Sequence, residues 1–487
     1  MRGEVRFRLR ADVGDAGKWN GGPNSVFEMT DSASSSPAPS AQTIEPSSAD
    51  SGIPSPNAGW LPAILRALRH RNFQLFIGGQ LISLIGTWMQ TVAESWLVYR
   101  LTGSTLLLGA AGFASQFPVF LVAPLGGIAA DRFNRRRLVI GTQISSMILA
   151  AIFAALTLTG VVRVWHIFVL AALLGVVNAF DIPARQTFLV DMVGKEDLMN
   201  AIALNSSMFN GARIVGPAIA GILVAKIGEG WCFFANSASY IAVIAGLLLM
   251  RVDRPSALAP SGPALAHLIE GFRFVRNAAP IRAILLLLGL VSLVAMPYTI
   301  LMPVFADRIL HGGARGLGIL MGATGVGALL GALTLATRAG VSGLGRWVAF
   351  SCGGFGISLV LFSLSHNFWL SAILLLPVGY CMMLGMSSSN TLIQAMVPDQ
   401  LRGRVMALYT MMFMGMAPFG SLFSGALAHN LGAPLTVSIG AVACVGAAIS
   451  FFYHLPKIRI EARRLIVAQA IAGGEPSAEM TARVVED

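Results

Sequence analysis

Two ionisable residues, Glu94 and Arg213, stand inside long apolar stretches of the sequence. A charge at the depth of a lipid bilayer is costly, and it usually serves binding, ion transfer or pairing with an opposite charge. Glu94 would bind a proton or a cationic substrate, with Arg213 as its partner or as an anion site. A structural ion pair between two helices of one half explains the residues equally well, so the sequence leaves both hypotheses open.

The densest group of charges lies in the stretch 126–137, where Asp131 and four arginines follow two glycines. The apolar segments 105–130 and 138–158 flank this stretch. Each is long enough to cross a bilayer, which takes about 20 apolar residues. The pattern therefore predicts a short polar turn between two membrane helices.

The composition excludes an ordinary globular protein. Only 12% of the 487 residues are charged and 55% are hydrophobic, whereas a soluble domain has about 25% charged residues. The formal net charge of +11 does not indicate nucleic-acid binding, because the basic residues are scattered singly in loops. We expect a polytopic membrane protein that contacts lipid and binds no nucleic acid.

No metal or cofactor site is expected. The four cysteines lie in different apolar segments without a C-x-x-C pair, which predicts buried free thiols. The seven histidines are scattered over both sides of the membrane and form no catalytic group. The glycine run 322–327 imitates a dinucleotide-binding motif, but no strand precedes it, so helix packing explains it better.

Twelve apolar segments are long enough to be membrane helices, and they place both chain ends on one side. They cover 72–99, 105–130, 138–158, 165–180, 201–227, 231–250, 284–306, 316–336, 347–364, 369–396, 405–428 and 434–453. Twenty-one Lys and Arg residues fall on the side of the termini. Opposite them lie only Arg100, Arg163, Lys226, Arg308 and Arg315. Cytoplasmic loops carry the excess of positive charge, so both termini are predicted to be cytoplasmic.

The chain divides into two six-helix halves. We predict a disordered, Ser- and Pro-rich cytoplasmic tail at 1–58, helical halves at 59–250 and 284–455, a cytoplasmic linker at 251–283 and a second tail at 456–487. A shift of 204 residues places Gly175 on Gly379 and Gly221 on Gly425. One unbroken offset over helices 4 and 5 against 10 and 11 indicates a parallel repeat, the plan of many transporters.

The pattern G-x-x-x-D-R-x-x-R-R, from Gly127 to Arg136, resembles the loop signature of the major facilitator superfamily between its second and third helices. The glycine usual after the Asp-Arg pair is Asn134 here, and Asn also tolerates a left-handed backbone. The fold class expected is therefore an all-α membrane protein with 12 transmembrane helices in two pseudo-symmetric halves. The stretch 211–221 resembles the helix 5 signature of exporters, with Ala212 and Ala220 at positions where glycine is usual.

Four further stretches, 178–187, 200–206, 270–273 and 402–406, resemble the transmembrane secretion effector branch, which includes the enterobactin exporter and related drug-efflux proteins. The resemblance implies a bacterial inner-membrane exporter of small molecules driven by proton antiport. Many proton-coupled members carry an Arg inside helix 4, and segment 165–180 has none. That departure puts proton coupling through this position in question.

The resemblance also implies which helices line the substrate cavity: 1, 4, 7 and 10, with 5 and 11. Polar or aromatic groups at membrane depth usually face water or substrate. The predicted substrate-binding residues are Trp88, Gln90, Glu94, Asn178, Arg213, Tyr298, Tyr380 and Asn390. Each is explained equally well as a helix-packing residue.

A second set of residues is predicted to act in gating. Asp131 would cap the N-terminus of helix 11 near Val405, where free backbone N–H groups favour a negative charge. The resemblance places the two near each other when the cytoplasmic side is closed. The predicted gating residues are Gly127, Asp131, Arg132, Arg135, Arg136, Asp181, Arg185, Gly216, Pro217, Arg402 and Arg404.

The leading hypothesis is a monomeric secondary transporter, not an enzyme, that exports a small amphipathic compound such as a siderophore or drug. A facilitator-type importer with the same fold is an alternative, because fold does not fix direction. A membrane-embedded enzyme would need a cluster of catalytic side chains on one face, and a subunit of an ATP-driven pump would lack the 204-residue repeat. The chain has no G-x-x-x-x-G-K-[ST] motif for ATP hydrolysis.

Overall fold

A computed structural model describes residues 65–194, 196–250, 264–337 and 343–472. Within these ranges the chain is helical apart from short turns, and twelve helices are long and apolar enough to cross a membrane. The predicted all-α fold with 12 transmembrane helices is confirmed. The tail 1–58, the first part of the linker and the last 15 residues of the chain lie outside the described residues.

The membrane helices are numbered α1 to α12 in chain order. The N-terminal half comprises α1 (Arg71–Thr102), α2 (Thr105–Arg132), α3 (Arg135–Leu158), α4 (Val164–Val193), α5 (Leu198–Ile227) and α6 (Glu229–Leu249). A linker helix (Ala264–Asn277) follows. The C-terminal half comprises α7 (Ala279–Ile309), α8 (Gly313–Ala336), α9 (Leu344–Leu364), α10 (Phe368–Met396), α11 (Gln400–Leu431) and α12 (Ala433–Ala472).

Two helices extend well beyond the apolar segments that predict them. α4 does not end at Phe180 but continues through Pro183 to Val193, and α12 continues through Pro456 to Ala472. Proline removes only one backbone donor, and membrane helices tolerate it where neighbouring groups compensate. Pro183 frees the carbonyl of Ala179, which lies against Gly126 of α2, where a Cβ would overlap it. Asp181 therefore lies on a helix and not in a loop.

The turn between α2 and α3 is closed differently from the expectation. Asn134 has φ −62° and ψ 112°, an extended and not a left-handed conformation. Its side-chain oxygen accepts a hydrogen bond from the backbone N–H of Arg137 at 3.1 Å. Asn is a preferred N-cap residue, so this position begins α3 instead of supplying the flexibility of a glycine.

α7 is the least regular membrane helix. Two π-helical turns, Val291–Ala295 and Phe305–Ile309, interrupt it, and Pro297 stands between them. Single π-turns inside α-helices occur frequently at functional sites. The first turn is followed by Tyr298, one of the predicted substrate-binding residues.

The two halves repeat the same packing. α2 lies against α4 in the first half and α8 against α10 in the second. Gly175 of α4 allows the carbonyl of Ser115 to approach, and its repeat counterpart Gly379 of α10 does the same for the carbonyl of Thr324. The halves meet each other along α2 with α11 and along α5 with α8. The cleft between them is thus bounded by two symmetry-related helix pairs.

Candidate functional site

The cleft is closed on the side of the protein that lies opposite the chain termini. The side of the chain termini holds the start of α1, the α2–α3 turn and the linker helix; the opposite side holds the α1–α2 turn. On the opposite side the Tyr99 hydroxyl donates to the Asp307 carboxylate at 2.8 Å. The Arg308 guanidinium donates to the Gly103 carbonyl at 3.1 Å and covers the Tyr99 ring at 5.7 Å. These contacts join α1 and α7 across the two halves.

Two pairs of glycines complete this closure. A Cβ on Gly221 of α5 would lie 2.9 Å from the Cα of Gly318 of α8, and a Cβ on Gly425 of α11 would lie 2.7 Å from the Cα of Gly109 of α2. Both contacts leave no room for a side chain, because real Cβ atoms essentially never approach so closely. The pairs are related by the repeat. The two halves therefore meet backbone to backbone at two symmetry-related points on the side opposite the chain termini.

The termini side of the cleft is exposed. Asp131 and Arg132 at the end of α2 are exposed to solvent. Added Cβ atoms on Gly127 of α2, Gly211 of α5 and Gly403 of α11 would meet nothing within 4 Å. In this conformation Asp131 does not cap α11, and the cleft opens toward the termini.

An aromatic and cationic group lies at mid-depth. The Trp88 ring meets Phe209 edge-on, with 5.6 Å between ring centroids. The Arg213 guanidinium lies 5.6 Å from the Trp88 ring centroid and 3.8 Å from the sulfur of Met382 in the other half. No carboxylate among the described residues lies within ion-pairing distance of Arg213. The arrangement presents a positive charge beside aromatic surface and can hold an anionic or aromatic ligand.

Tyr298 adds an unsatisfied polar group to this region. Its residue exposure is 2%, and its hydroxyl lies near that of Thr324 but makes no well-formed hydrogen bond among the described residues. It lies near enough to Arg213 for electrostatic interaction. A buried hydroxyl without a partner is unusual, and a bound ligand would supply one.

The structure separates Glu94 from Arg213. Glu94 lines a small cavity inside the N-terminal half, beside Gln90 of α1, Phe153 of α3 and Leu170 of α4. An α-helix turns by about 100° per residue, so the six residues from Trp88 to Glu94 rotate the side chain by about 240°. Trp88 therefore faces α5 and Glu94 faces α3 and α4. The hypothesis of an ion pair between Glu94 and Arg213 is wrong for this conformation.

The other predicted binding residues divide between packing and the cleft region. Gln90 is buried and accepts a 2.6 Å hydrogen bond from Asn236 of α6, a contact internal to the first half. Asn390 accepts a 2.6 Å hydrogen bond from Gln394 on its own helix. Asn178 and Tyr380 are half-buried on α4 and α10. The structure thus brings together Trp88, Arg213 and Tyr298, whereas Gln90, Glu94 and Asn390 make their contacts elsewhere.

Most predicted gating residues make contacts within one half. The Asp181 carboxylate is buried, accepts hydrogen bonds from Thr142 at 2.7 Å and Gln143 at 2.9 Å, and pairs with Arg185 at 3.1 Å. Such multiple hydrogen bonds are what a buried carboxylate requires. This network fixes α3 against α4.

The arginines of the α2–α3 turn and α11 hold helix ends together. Arg135 pairs with Asp191 of α4 at 3.0 Å, and Arg136 donates to the carbonyl of Leu247 of α6 at 2.8 Å. Arg404 pairs with Glu270 of the linker helix. Arg402 is exposed. These contacts tie the turn and the linker to their own halves.

The sequence interpretation missed several residues of this region. Gly126, and not the motif residue Gly127, makes the close approach to α4, where a Cβ would overlap the carbonyl of Ala179. The sequence contains no signal that distinguishes these two adjacent glycines. Tyr99 and Asp307 were missed as closing contacts because polar residues at the ends of apolar segments also suit the membrane interface.

Gly216→Ala is expected to destabilise the protein by about 1–3 kcal/mol, the usual cost of overpacking. The new methyl group would lie 2.5 Å from Cβ of Trp88 and 2.8 Å from the carbonyl oxygen of Ile85. Thermal unfolding in detergent measures the change. Gly211→Ala on the same helix is the matched control, because that position is open. Equal melting temperatures for the two variants would contradict the close α1–α5 contact.

Twelve membrane helices in two repeated halves around a central cleft define a transporter of the major facilitator fold. A sequence profile described as transmembrane secretion effector matches residues 63–474. The chain belongs to this transmembrane secretion effector family of the major facilitator superfamily.

Relatives with known roles cover most of the chain. The staphyloferrin A transporter of Staphylococcus aureus is 27% identical over 389 residues, 79% of this chain and 97% of the relative. The enterobactin exporter EntS of Shigella boydii is 26% identical over 385 residues, 77% and 89% of the two chains. The multidrug efflux pump Tap of Mycolicibacterium fortuitum is 26% identical over 362 residues, 71% and 87% of the chains.

Solved structures share the fold. The nucleoside transporter NupG superposes with a TM-score of 0.60 at 15% identity, covering 79% of this chain and 99% of that one. A bacterial homologue of the lysosomal transporter Spinster, in an inward-facing and unoccupied conformation, superposes with a TM-score of 0.56 at 15% identity, covering 84% and 99%. At these identities the similarity shows the fold alone.

Proposed function

We propose that this protein is a secondary transporter that exports a small amphipathic compound, a siderophore or drug, across the bacterial inner membrane by proton antiport. The observation that carries the proposal is the unpaired Arg213 beside Trp88 at mid-depth of a cleft between repeated halves. A cation without a protein partner favours a substrate that carries negative charge or several closely spaced oxygen acceptors. Two relatives, the enterobactin exporter and the multidrug efflux pump Tap, are described as exporting proteins, which supports export here.

The positive-inside distribution orients the cleft. With both termini cytoplasmic, the exposed side faces the cytoplasm and the glycine contacts close the outside. A substrate would enter from the cytoplasm, reach Arg213 and leave after the halves rock about the cleft. The cleft is complete within one chain, so we infer that the monomer is the working unit.

Closure of the cytoplasmic side would use surfaces that are open here. Gly127 and Gly403 leave free space on α2 and α11, and Asp131 is exposed at the end of α2. Approach of the halves would bring Asp131 toward the free N–H groups that begin α11, which favour a carboxylate. Asp131 would then stabilise the outward-open conformation.

Glu94 is the proposed proton carrier. Glu94 lies beside Gln90 and otherwise among Leu, Phe and Ala side chains inside the N-terminal half. Moving a carboxyl group between water and apolar surroundings changes how readily it binds a proton. Rearrangement of α1 against α3 and α4 would thereby couple the conformation to protonation.

Glu94→Gln is expected to abolish proton movement driven by the compound, because the amide cannot release a proton. The measurement is proton flux in liposomes that contain purified protein, an imposed pH gradient and a panel of siderophores and antibiotics. Glu461→Gln on the exposed end of α12 serves as the control. Wild-type pH dependence in Glu94→Gln would remove this residue from the coupling mechanism.

The same liposomes separate export from import. Protein that accumulates a compound against its gradient only when protons move the other way is an antiporter, and the sidedness of the labelled compound gives the direction. A flux of compound without protons would favour the facilitator alternative, because the fold does not fix the coupling.

A further inference from the structure

The C-terminal half contains a cavity that the cleft site does not use. Helices α7, α9, α10 and α11 line it, and its volume of about 40 Å³ is room for about three water molecules. Its walls are almost entirely apolar, and methionine side chains, among them Met382 and Met386, form part of them. Flexible methionines adapt to ligands of different shape, so this wall can open by side-chain rotation alone.

Two serines make the cavity more than a packing defect. Ser351 of α9 and Ser389 of α10 are 2% and 1% exposed, and both line the cavity. Among the described residues neither hydroxyl has a hydrogen-bond partner. Serines in membrane helices ordinarily satisfy themselves by bonding to the carbonyl four residues earlier. Two unsatisfied hydroxyls at one apolar cavity indicate a ligand with its own polar atoms.

The cavity adjoins the cleft. Met382 lines the cavity, and its sulfur lies 3.8 Å from the Arg213 guanidinium. Phe413 of α11 lines the cavity on another side and is half-buried. A molecule held by Arg213 therefore has an apolar chamber directly behind the methionine that Arg213 touches.

We propose that this cavity is a side pocket of the substrate site, which receives an aromatic ring of the transported anion. The ring carries a hydroxyl or carbonyl group that bonds to Ser351 and Ser389, while the anionic group stays at Arg213. The inference rests on the proposed function and narrows the substrate class to aryl-bearing anions. It also explains why the pocket is apolar although the cleft presents a cation.

The test compares butyrate, 4-phenylbutyrate and 4-(4-hydroxyphenyl)butyrate by equilibrium dialysis against the purified full-length protein. The wild type is expected to bind the two aryl acids at least tenfold more tightly than butyrate, and the hydroxylated one most tightly. Ser351→Leu fills the pocket and should remove the aryl preference without changing butyrate binding. The double variant Ser351→Ala, Ser389→Ala should remove only the advantage of the hydroxyl.

Controls separate failure of the pocket from failure of the cleft site. Ser358→Leu alters the same helix outside the pocket lining and should bind as the wild type. Retained butyrate binding shows that a variant is folded; if Ser351→Leu loses it, Ser389→Leu fills the pocket from the other wall. If the wild type and the filled variants show the same aryl preference, the side-pocket proposal is overturned. It is also overturned if the wild type shows no aryl preference. Unchanged butyrate binding in Arg213→Gln overturns the cleft site instead.

Discussion

Arg213→Gln is expected to lower transport about thirtyfold or more. Removing one partner of a buried charge interaction costs about 2–5 kcal/mol, and each 1.4 kcal/mol is about a tenfold change in affinity. The substrate's negative group would lose its counter-charge between Trp88 and Met382. The uptake of a labelled substrate into inverted membrane vesicles measures this loss.

Arg213→Lys is the matched variant. It keeps the positive charge but loses the planar guanidinium, which stacks on aromatic rings and binds oxyanions through two parallel hydrogen bonds. Intermediate transport is therefore expected. If Arg213→Gln transports as the wild type, Arg213 is a packing residue and the substrate is not recognised by its charge.

The number and order of the membrane helices were predictable because the bilayer imposes them. A span needs about 20 apolar residues, so both follow from hydropathy. The C-terminal ends of α4 and α12 did not follow from hydropathy. Proline ends helices in water, whereas here α4 continues through Pro183 and α12 through Pro456. The fate of a proline depends on neighbouring groups that the sequence does not place.

The site was less predictable than the fold. Hydropathy found Glu94 and Arg213 as charges at membrane depth, but it does not say which way a side chain faces. That depends on the rotational phase of each helix, and the rotation of about 240° from Trp88 to Glu94 leaves their side chains about 120° apart around α1. Unsatisfied hydroxyls such as that of Ser351 are also invisible in sequence, because every serine could bond to its own helix.

The internal repeat predicted only part of the contact between the two halves. The shift of 204 residues relates Gly221 to Gly425, and it was visible in the sequence. The structure adds their partners, Gly318 and Gly109, which belong to helices with a different offset. Only the two pairs together identify the positions as contact points between the halves.

Gly318→Leu is expected to stop closure on the side opposite the chain termini, the outer side in the proposed orientation, and to lower transport at least tenfold. A Cβ on Gly318 would lie 2.6 Å from the carbonyl oxygen of Pro217, and the rest of a leucine would force α5 and α8 apart. Overpacking at a helix contact costs about 1–3 kcal/mol, enough to shift a two-state equilibrium about fivefold to more than a hundredfold. The protein would then favour the outward-open conformation.

The conformational change is measured by the distance between spin labels at Thr159 and His366, exposed turns of the two halves on the outer side. The distance should lengthen in Gly318→Leu and in Gly109→Leu, the corresponding change in the other helix pair. Gly446→Leu on α12 should leave it unchanged, because nothing lies within 4 Å of a Cβ there. If only one of the two symmetry-related variants opens the outer side, the halves do not close as equivalent units. If neither does, these contacts do not control access to Arg213.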